Sequence, residues 1–385
     1  MVDLSTQYQQ IKQEVDAGIQ EVIDTTQFIN GTATKTFATA LSNYLNVKHV
    51  IPCANGTDAL QIALMALDLQ EGDEIITIPF TFVATVEVVA LLKLVPVFVD
   101  VDPDTFNIDV NAIEAKITPR TKAIIPVHLF GQSADMEKIM AIAAKHNIVV
   151  IEDNAQAIGC DYTFSDGTTK KTGTIGHIAT TSFYPTKNLG AYGDGGALFT
   201  NDDELAKKVR IICDHGSAKK YYYDSIGVNS RLDSMQAAIL NEVIDRESAF
   251  EILNAKLKRL DTYNDKRQQA AALYDAQLAN IPGIQIPVRA QNATHVFHQY
   301  TIRVAENRDA LKEHLGALGI PAMIYYPVPL HMSDAYASYG YAAGDFPVSE
   351  KIAHEVLSLP MHTELDEEQI QFICQAIKSF ITVPA

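Results

Sequence analysis

Thr181-Ser182-Phe183-Tyr184-Pro185-Thr186-Lys187-Asn188-Leu189-Gly190-Ala191-Tyr192-Gly193-Asp194-Gly195-Gly196 is the segment around which the rest of the chain organises. Residues 178–183 are β-branched and aromatic enough to read as a strand. Pro185 cannot continue that strand, and a lysine follows, then four glycines. Most lysines are solvated surface residues, so one set between a buried strand and a glycine-rich turn is out of the ordinary. Two upstream segments share the pattern of a strand ending in a functional side chain. Val149-Val150-Ile151-Glu152-Asp153-Asn154-Ala155-Gln156 ends its apolar run at Asp153. The apolar run 49–54 passes through Asn55-Gly56-Thr57-Asp58-Ala59-Leu60 into a helical pattern.

Around these three segments strand-like and helix-like patterns alternate. Residues 56–67 place Leu60, Ala63, Leu64 and Leu67 at helical spacing. Strands are expected at 74–80, 95–101, 122–130, 148–152, 178–183 and 197–200, and helices at 83–92 and 136–146. Such alternation implies an α/β chain with a three-layer, mostly parallel sheet covered by helices on both faces. From 232 to 280 the sequence turns to Ala, Leu, Glu, Lys and Arg without proline, which reads as two long helices ended by Pro282-Gly283. A strand at 296–304, a helix at 309–318, a proline-rich loop and a helix at 367–380 complete a smaller C-terminal α+β domain. Two domains are expected, 1–250 and 251–385, with the boundary inside 232–280.

Composition narrows the function classes. The 385 residues are 47% hydrophobic and 20% charged, which supports a folded core. A net charge of −17 repels nucleic acid and anionic membranes, so an anionic substrate needs a local basic patch. Cys53, Cys160, Cys213 and Cys374 form no CxxC pair, which removes support for zinc ribbons and fits a cytoplasmic protein. The polar start Met1-Val2-Asp3-Leu4-Ser5-Thr6-Gln7 has no signal-peptide pattern. The longest apolar run, 75–99, is broken by Pro79, Glu87, Lys93 and Pro96 and belongs in a globular core rather than a membrane.

In sheets of this kind ligands sit beyond the carboxyl ends of the strands. Asn55, Asp153 and Ser182 all fall there. With Asn55 as N-cap, the free amides of Gly56, Thr57 and Asp58 favour an anion, and Thr57 and Ser182 add hydroxyls. A simple cap with Asp58 folding back is compatible with that role. A lysine, a carboxylate and a phosphate-type turn at strand ends together suggest pyridoxal phosphate. That cofactor draws electrons only while its ring nitrogen is protonated. A carboxylate at ~4 Å in an effective dielectric near 20 contributes about 4 kcal/mol, roughly three pKa units, to holding that proton. Asp153 can supply it. Lys187 would carry the cofactor as a Schiff base and then move protons between substrate and cofactor carbons.

The segments Asn55–Leu60, Glu152–Gln156, Ser182–Gly190, Gly193–Gly196 and Asn229-Ser230-Arg231-Leu232-Asp233 occur in this order, with Thr118–Lys122 and Pro126–Gly131 between the first two. The ordered set resembles the sugar-nucleotide aminotransferase family of DegT/DnrJ/StrS type, from about residue 3 to the C-terminus. The resemblance implies the aspartate-aminotransferase fold (fold type I) and a role for each matching residue. Lys187 matches the Schiff-base lysine, Asp153 the partner of the ring nitrogen and Gln156 the partner of the ring hydroxyl. Phe82 matches an aromatic stacked on the cofactor, with small Ala155 leaving room on the opposite face; without the resemblance, Phe82 reads as a core aromatic. Asn229 matches a residue given across a homodimer interface to the cofactor phosphate, although it also reads as the N-cap of a helix starting near Arg231.

On the substrate side, Lys219-Lys220-Tyr221-Tyr222-Tyr223 pairs cations suited to a pyrophosphate with aromatics suited to a base. It reads equally as a solvated hairpin. Arg231 suits a carboxylate, of glutamate or of a uronic-acid sugar. Tyr326 and His331 match a substrate-side loop of the family, with a surface histidine the plain alternative. The implied activity is transfer of an amino group from glutamate to a nucleotide-linked keto-sugar, leaning to C3 of a UDP-linked sugar or sugar acid, in surface-polysaccharide or amino-sugar biosynthesis. C3 or C4 of a dTDP-linked deoxysugar and a non-catalytic sensor remain alternatives. A dehydratase of this type replaces the lysine with histidine, and a dehydrogenase needs the GxGxxG that Asn55-Gly56-Thr57 lacks. No metal is expected, since His295 and His298 sit three apart in an expected strand and so face opposite ways.

Overall fold

A computed structural model describes residues 2–241 and 256–382. The central sheet contains β1 (His49–Cys53), β2 (Glu74–Thr77), β3 (Val95–Phe98), β4 (Thr121–Ile124) and β5 (Val149–Asp153). A two-stranded hairpin, β6 (Asp161–Thr163) and β7 (Thr169–Lys171), lies apart from it, and β8 (Ile178–Ser182) and β9 (Gly196–Thr200) complete it. The order is β1-β9-β8-β5-β4-β2-β3, parallel throughout except that β9 runs against both β8 and β1.

The strands read as continuous apolar runs because both faces are covered. Ile75, Ala123, Ile151, Ile178 and Leu198 pack with Leu60, Ala63, Val88 and Val209 from the helices Gly56–Met65, Ala84–Leu91 and Asp203–Cys213. Their neighbours Ile76, Ile124 and Val150 point the other way, onto Ile139 and Ala143 of the helix Met136–His146. Val50, Ala179 and Phe199 meet Phe37, Leu41 and Leu45 of the helix Thr32–Leu45. A second, antiparallel sheet is made of β10 (Ile284–Gln285), β11 (Tyr300–Val304) and β12 (Val356–Leu359). It has its own core with the helices Leu260–Leu278, Arg308–Ala317 and Glu367–Thr382. The Asp100 carboxylate joins the two parts by accepting the backbone N–H groups of Val348 and Ser349, both at 2.9 Å, at the start of the helix Pro347–Glu355.

Several expected elements differ. The strand expected over 122–130 stops at Ile124, because Pro126 interrupts it and Phe130 and Gly131 take positive φ in a tight turn. The strand expected from 296 begins at Tyr300. Of the two long helices expected over 232–280, the described residues contain the short Ser234–Leu240 and the long Leu260–Leu278. The expected boundary at 250/251 lies outside the described residues. The helix Leu4–Thr25 was not anticipated, although Ile11, Val15, Gly18 and Val22 give it one buried face.

Beneath the end of β5 lies a fully buried carboxylate, Glu152. Its Oε2 accepts from His128 Nε2 at 2.9 Å and Gly173 N at 2.8 Å. Its Oε1 accepts from Ile175 N at 2.7 Å and Gly176 N at 2.6 Å. His128 Nδ1 accepts from Ala134 N, so the ring is the Nε2–H tautomer. Burial pushes the Glu152 carboxyl up, but His128 and the amides of Gly176 and Gly173 outweigh it and hold it below the usual range. A depressed carboxyl contributes stability that is present above its unfolded value and is lost as pH falls through the folded one. Glu152→Gln turns an NH₂ against one pair of donors. It is expected to cost about 3–5 kcal/mol in urea unfolding at pH 7, and less below pH 4.

Candidate active site

The sheet topology brings three strand ends together. Cys53 of β1 pairs with Gly196 of β9, which pairs in turn with Ser182 of β8, while Asp153 of β5 pairs with Thr180. After β1, Asn55 is the N-cap, its Oδ1 accepting from Asp58 N at 2.7 Å. Gly56 opens the helix with its Cα facing Ser182, and a Cβ there would stand 2.8 Å from the Ser182 Cβ. That close approach admits only glycine and leaves the helix's first amides beside two half-buried hydroxyls, Thr57 and Ser182.

Asp153 is buried, at 5% exposure. Its Oδ2 accepts from Thr85 Oγ1 at 2.8 Å and its Oδ1 from Ala155 N at 3.2 Å. These bonds fix the carboxylate at the strand end. Thr85 was missed in the sequence; a hydroxyl inside the apolar run 83–92 was the signal. Ala155 follows, half-buried. Gln156 is locked through both ends of its amide, Oε1 accepting from Phe130 N at 2.7 Å and Nε2 donating to the Tyr326 hydroxyl at 3.1 Å. One Nε2 hydrogen remains. Phe82 is not a core aromatic: it is 54% exposed, with the Tyr326 ring 6.4 Å away.

Lys187 follows β8 in a turn closed by its own N–H on Tyr184 O at 2.8 Å. Gly190 allows the turn to tighten, since a Cβ there would fall 2.3 Å from Pro185 O. Burial pulls the Lys187 amine down to about 8, and the Asp153 carboxylate opposes it. At pH 7 roughly a tenth of such an amine is neutral, against well under a thousandth for a solvated lysine. A second lysine, Lys256, is more deeply buried and its amine is pulled to about 7. It donates to Gly190 O at 2.7 Å and lies over the Tyr192 ring, so it braces the Lys187 turn from behind.

The remaining expected residues lie elsewhere. Asn229 is exposed and does not cap a helix; the next helix begins at Ser234 with Asp233 as its N-cap. Asn229 Oδ1 accepts from Arg231, whose Nη1 also pairs with Asp214 at 2.9 Å. Ser230 Oγ accepts from Ala54 N at 3.0 Å, which fixes this strip against the turn before Gly56. Lys219 and Lys220 sit on an exposed hairpin over the rings of Tyr222 and Tyr221, with no contact to Lys187 among the described residues. His331 is not a surface histidine. It is buried against Phe346, with its Nε2 3.0 Å from Glu350 Oε1. His295 and His298 precede β11 rather than lie within a strand, and both are buried.

This donor set can hold pyridoxal phosphate: amides at a helix start for the phosphate, a buried carboxylate for the ring nitrogen and a partly neutral amine for the aldehyde. A sequence model described as the DegT/DnrJ/EryC1/StrS aminotransferase family matches residues 9–378. The chain is 50% identical to the "Pleiotropic regulatory protein" of Geobacillus stearothermophilus, covering 99% of this chain and 98% of that one. It is 45% identical to the UDP-2-acetamido-2-deoxy-3-oxo-D-glucuronate aminotransferase of Pseudomonas aeruginosa, covering 98% of each. Among solved structures, NtdA from Bacillus subtilis with bound cofactor PMP superposes with a TM-score of 0.85 at 33% identity, covering 97% of this chain and 82% of that one.

Proposed function

The chain belongs to the DegT/DnrJ/EryC1/StrS aminotransferase family, and from that premise we propose that it is a pyridoxal-phosphate-dependent aminotransferase moving an amino group from glutamate to a nucleotide-linked keto-sugar. The observation that carries this reading is the placement of Lys187, in the turn after β8, within electrostatic reach of the buried Asp153 at the end of the adjacent β5. The PMP-bound relative and the sugar aminotransferase relative support it.

When bound, the cofactor supplies an aldehyde that takes up an amine and a ring that accepts electrons. The Gly56 and Thr57 amides and the Ser182 hydroxyl hold the phosphate. Asp153 keeps the proton on the ring nitrogen, and Gln156 donates its remaining Nε2 hydrogen to the ring hydroxyl. Phe82 would cover one ring face and Ala155 would leave the other clear. Lys187 Nζ would hold the aldehyde carbon and, once free, would take a proton from the substrate carbon and deliver it to the cofactor carbon, a task suited to an amine near 8.

We place the acceptor among UDP-linked sugars or sugar acids oxidised at C3, on the strength of the Pseudomonas aeruginosa relative. Arg231 meets a sugar carboxylate in place of Asp214, Tyr326 and His331 shape the sugar side, and Lys219 and Lys220 meet the pyrophosphate. The pathway is cytoplasmic amino-sugar synthesis for surface polysaccharide. The working unit is a homodimer in which Asn229 reaches the partner's phosphate site; the exposed Tyr221, Tyr222, Tyr223 and Ile226 on one hairpin support it. If so, mixing Lys187→Ala and Asn229→Ala chains restores activity in the hybrids, and no recovery on mixing refutes sharing.

The relative named as a regulatory protein favours a second reading, a sensor of the same fold. Single-turnover amination with UDP- and dTDP-keto-sugars separates the two. The enzyme reading expects an amino-sugar product fastest with a 3-keto UDP-sugar; no product with any acceptor supports the sensor.

A further inference from the structure

Asp153 and Lys187 sit at neighbouring strand ends within electrostatic reach, yet no ion pair joins them among the described residues. A carboxylate and an amine in a buried setting attract strongly, so their separation calls for a restraint. That restraint lies on the carboxylate. Its Oδ1 accepts from Ala155 N at 3.2 Å and its Oδ2 from Thr85 Oγ1 at 2.8 Å. The first bond is local: Ala155 is two residues on, in the same turn, and moves with Asp153. The second comes from another element, the first turn of the helix Ala84–Leu91.

Thr85 is itself firmly seated. It is buried, and its backbone N–H donates to Phe82 O at 3.4 Å. Threonine hydroxyls in helices commonly bond a carbonyl one turn back; this one crosses to β5 instead. Its single hydrogen goes to Asp153, so in the longer contact with Thr81 Oγ1, at 3.5 Å, Thr81 is the donor. Both hydroxyls of the Thr81–Thr85 turn thus point their hydrogens toward the carboxylate, and each donor strengthens the next.

Lys187 has no comparable tie. Its backbone N–H closes the turn on Tyr184 O, while its amine makes no hydrogen bond among the described residues. Burial draws that amine down to about 8 against the pull of Asp153. The other titratable groups around the couple are His298, which burial keeps neutral, and Tyr326, whose hydroxyl accepts from Gln156 Nε2. Neither supplies a competing negative charge.

We infer that Thr85 is a positioning residue for both groups: its hydroxyl holds the Asp153 carboxylate back from the Lys187 amine, which leaves the carboxylate for the ring nitrogen and the amine for the aldehyde. The inference rests on the aminotransferase reading of these two residues. A carboxylate released by Thr85 is free to turn onto the amine, and with one donor fewer its charge is more concentrated. Both effects favour the charged amine, so Lys187 then titrates at higher pH.

The test is competitive acetylation of the full-length chain, freed of cofactor, across pH 6–11, with the Lys187 peptide read by mass spectrometry. Thr85→Val removes the hydroxyl and keeps the branched shape, Thr85→Ala removes it without crowding the carboxylate, and Thr85→Ser keeps it. Val and Ala are expected to raise the Lys187 midpoint by about one unit, a tenfold drop in neutral amine at a given pH. Ser is expected to keep the wild-type midpoint. In an Asp153→Asn background the same Val and Ala changes should shift nothing, because no carboxylate remains to be released. Hydroxyl-free variants that titrate like wild type or lower, a Ser variant that shifts as far as Val, or a shift that survives Asp153→Asn each overturn the inference. A merely structural role would lower thermal stability without a Lys187 shift that depends on Asp153. Because acetylation reads the amine with neither cofactor nor substrate present, an unmoved midpoint refutes the role of Thr85 and leaves the aminotransferase reading standing.

Discussion

Lys187→Ala should lose amino transfer by roughly four orders of magnitude, the upper end of what a single proton-transfer group contributes, because anchoring and proton transfer fail together. The loss should appear in kcat and persist at saturating glutamate and keto-sugar. Folding should be unaffected, because the Lys187 amine is not part of the hydrogen-bond scaffold: the turn is held by Lys187 N, by Asn188 and by Lys256 on Gly190 O. Added methylamine should recover part of the rate. By contrast, Lys256→Ala removes a brace and should lower stability before activity. A Lys187→Ala chain with near wild-type turnover would mean that another amine does the work.

The second large effect is at Asp153. The carboxylate is buried and fixed by Thr85 and the Ala155 amide. A neutral amide in its place removes the charge that keeps the ring nitrogen protonated, about 4 kcal/mol at ~4 Å and an effective dielectric near 20. Asp153→Asn should therefore reduce turnover by about a thousandfold. Cofactor retention should change far less, since the phosphate cradle at Gly56 is untouched. The Lys187 amine should also titrate lower, because Asp153 is the charge that opposes its burial. Equal loss of turnover and of cofactor affinity would show that Asp153 holds the cofactor rather than tuning it.

How far the sequence carried this account depends on the element. The central sheet was legible because its strands are buried on both faces and therefore stand out as unbroken apolar runs between helical patterns. The ends of β1, β5 and β8 were legible for the same reason, and with them Gly56, Asp153 and Lys187. The helix Leu4–Thr25 was not, because its buried face is only Ile11, Val15, Gly18 and Val22 within an otherwise polar stretch. Pro126 was visible, but the positive φ at Phe130 was not, and the 122–130 strand was read too long. Thr85 and Glu152 illustrate a further limit. Each acts through a partner distant in sequence, at 68 positions for Thr85 and Asp153 and 24 for His128 and Glu152, and no local spacing announces such a pair. His331 was read as a substrate-side residue with a surface histidine as the alternative, because a lone histidine in a proline-rich loop carries no sign of the Glu350 it meets.

The central claim is that one amine carries the cofactor, and it is tested most directly by borohydride reduction of the protein loaded with pyridoxal phosphate, followed by peptide mapping. The account predicts a single modified peptide containing Lys187, with the yellow absorbance band lost in proportion. Modification at Lys256, the other buried lysine with a depressed amine, or no modification with excess cofactor present, would contradict it.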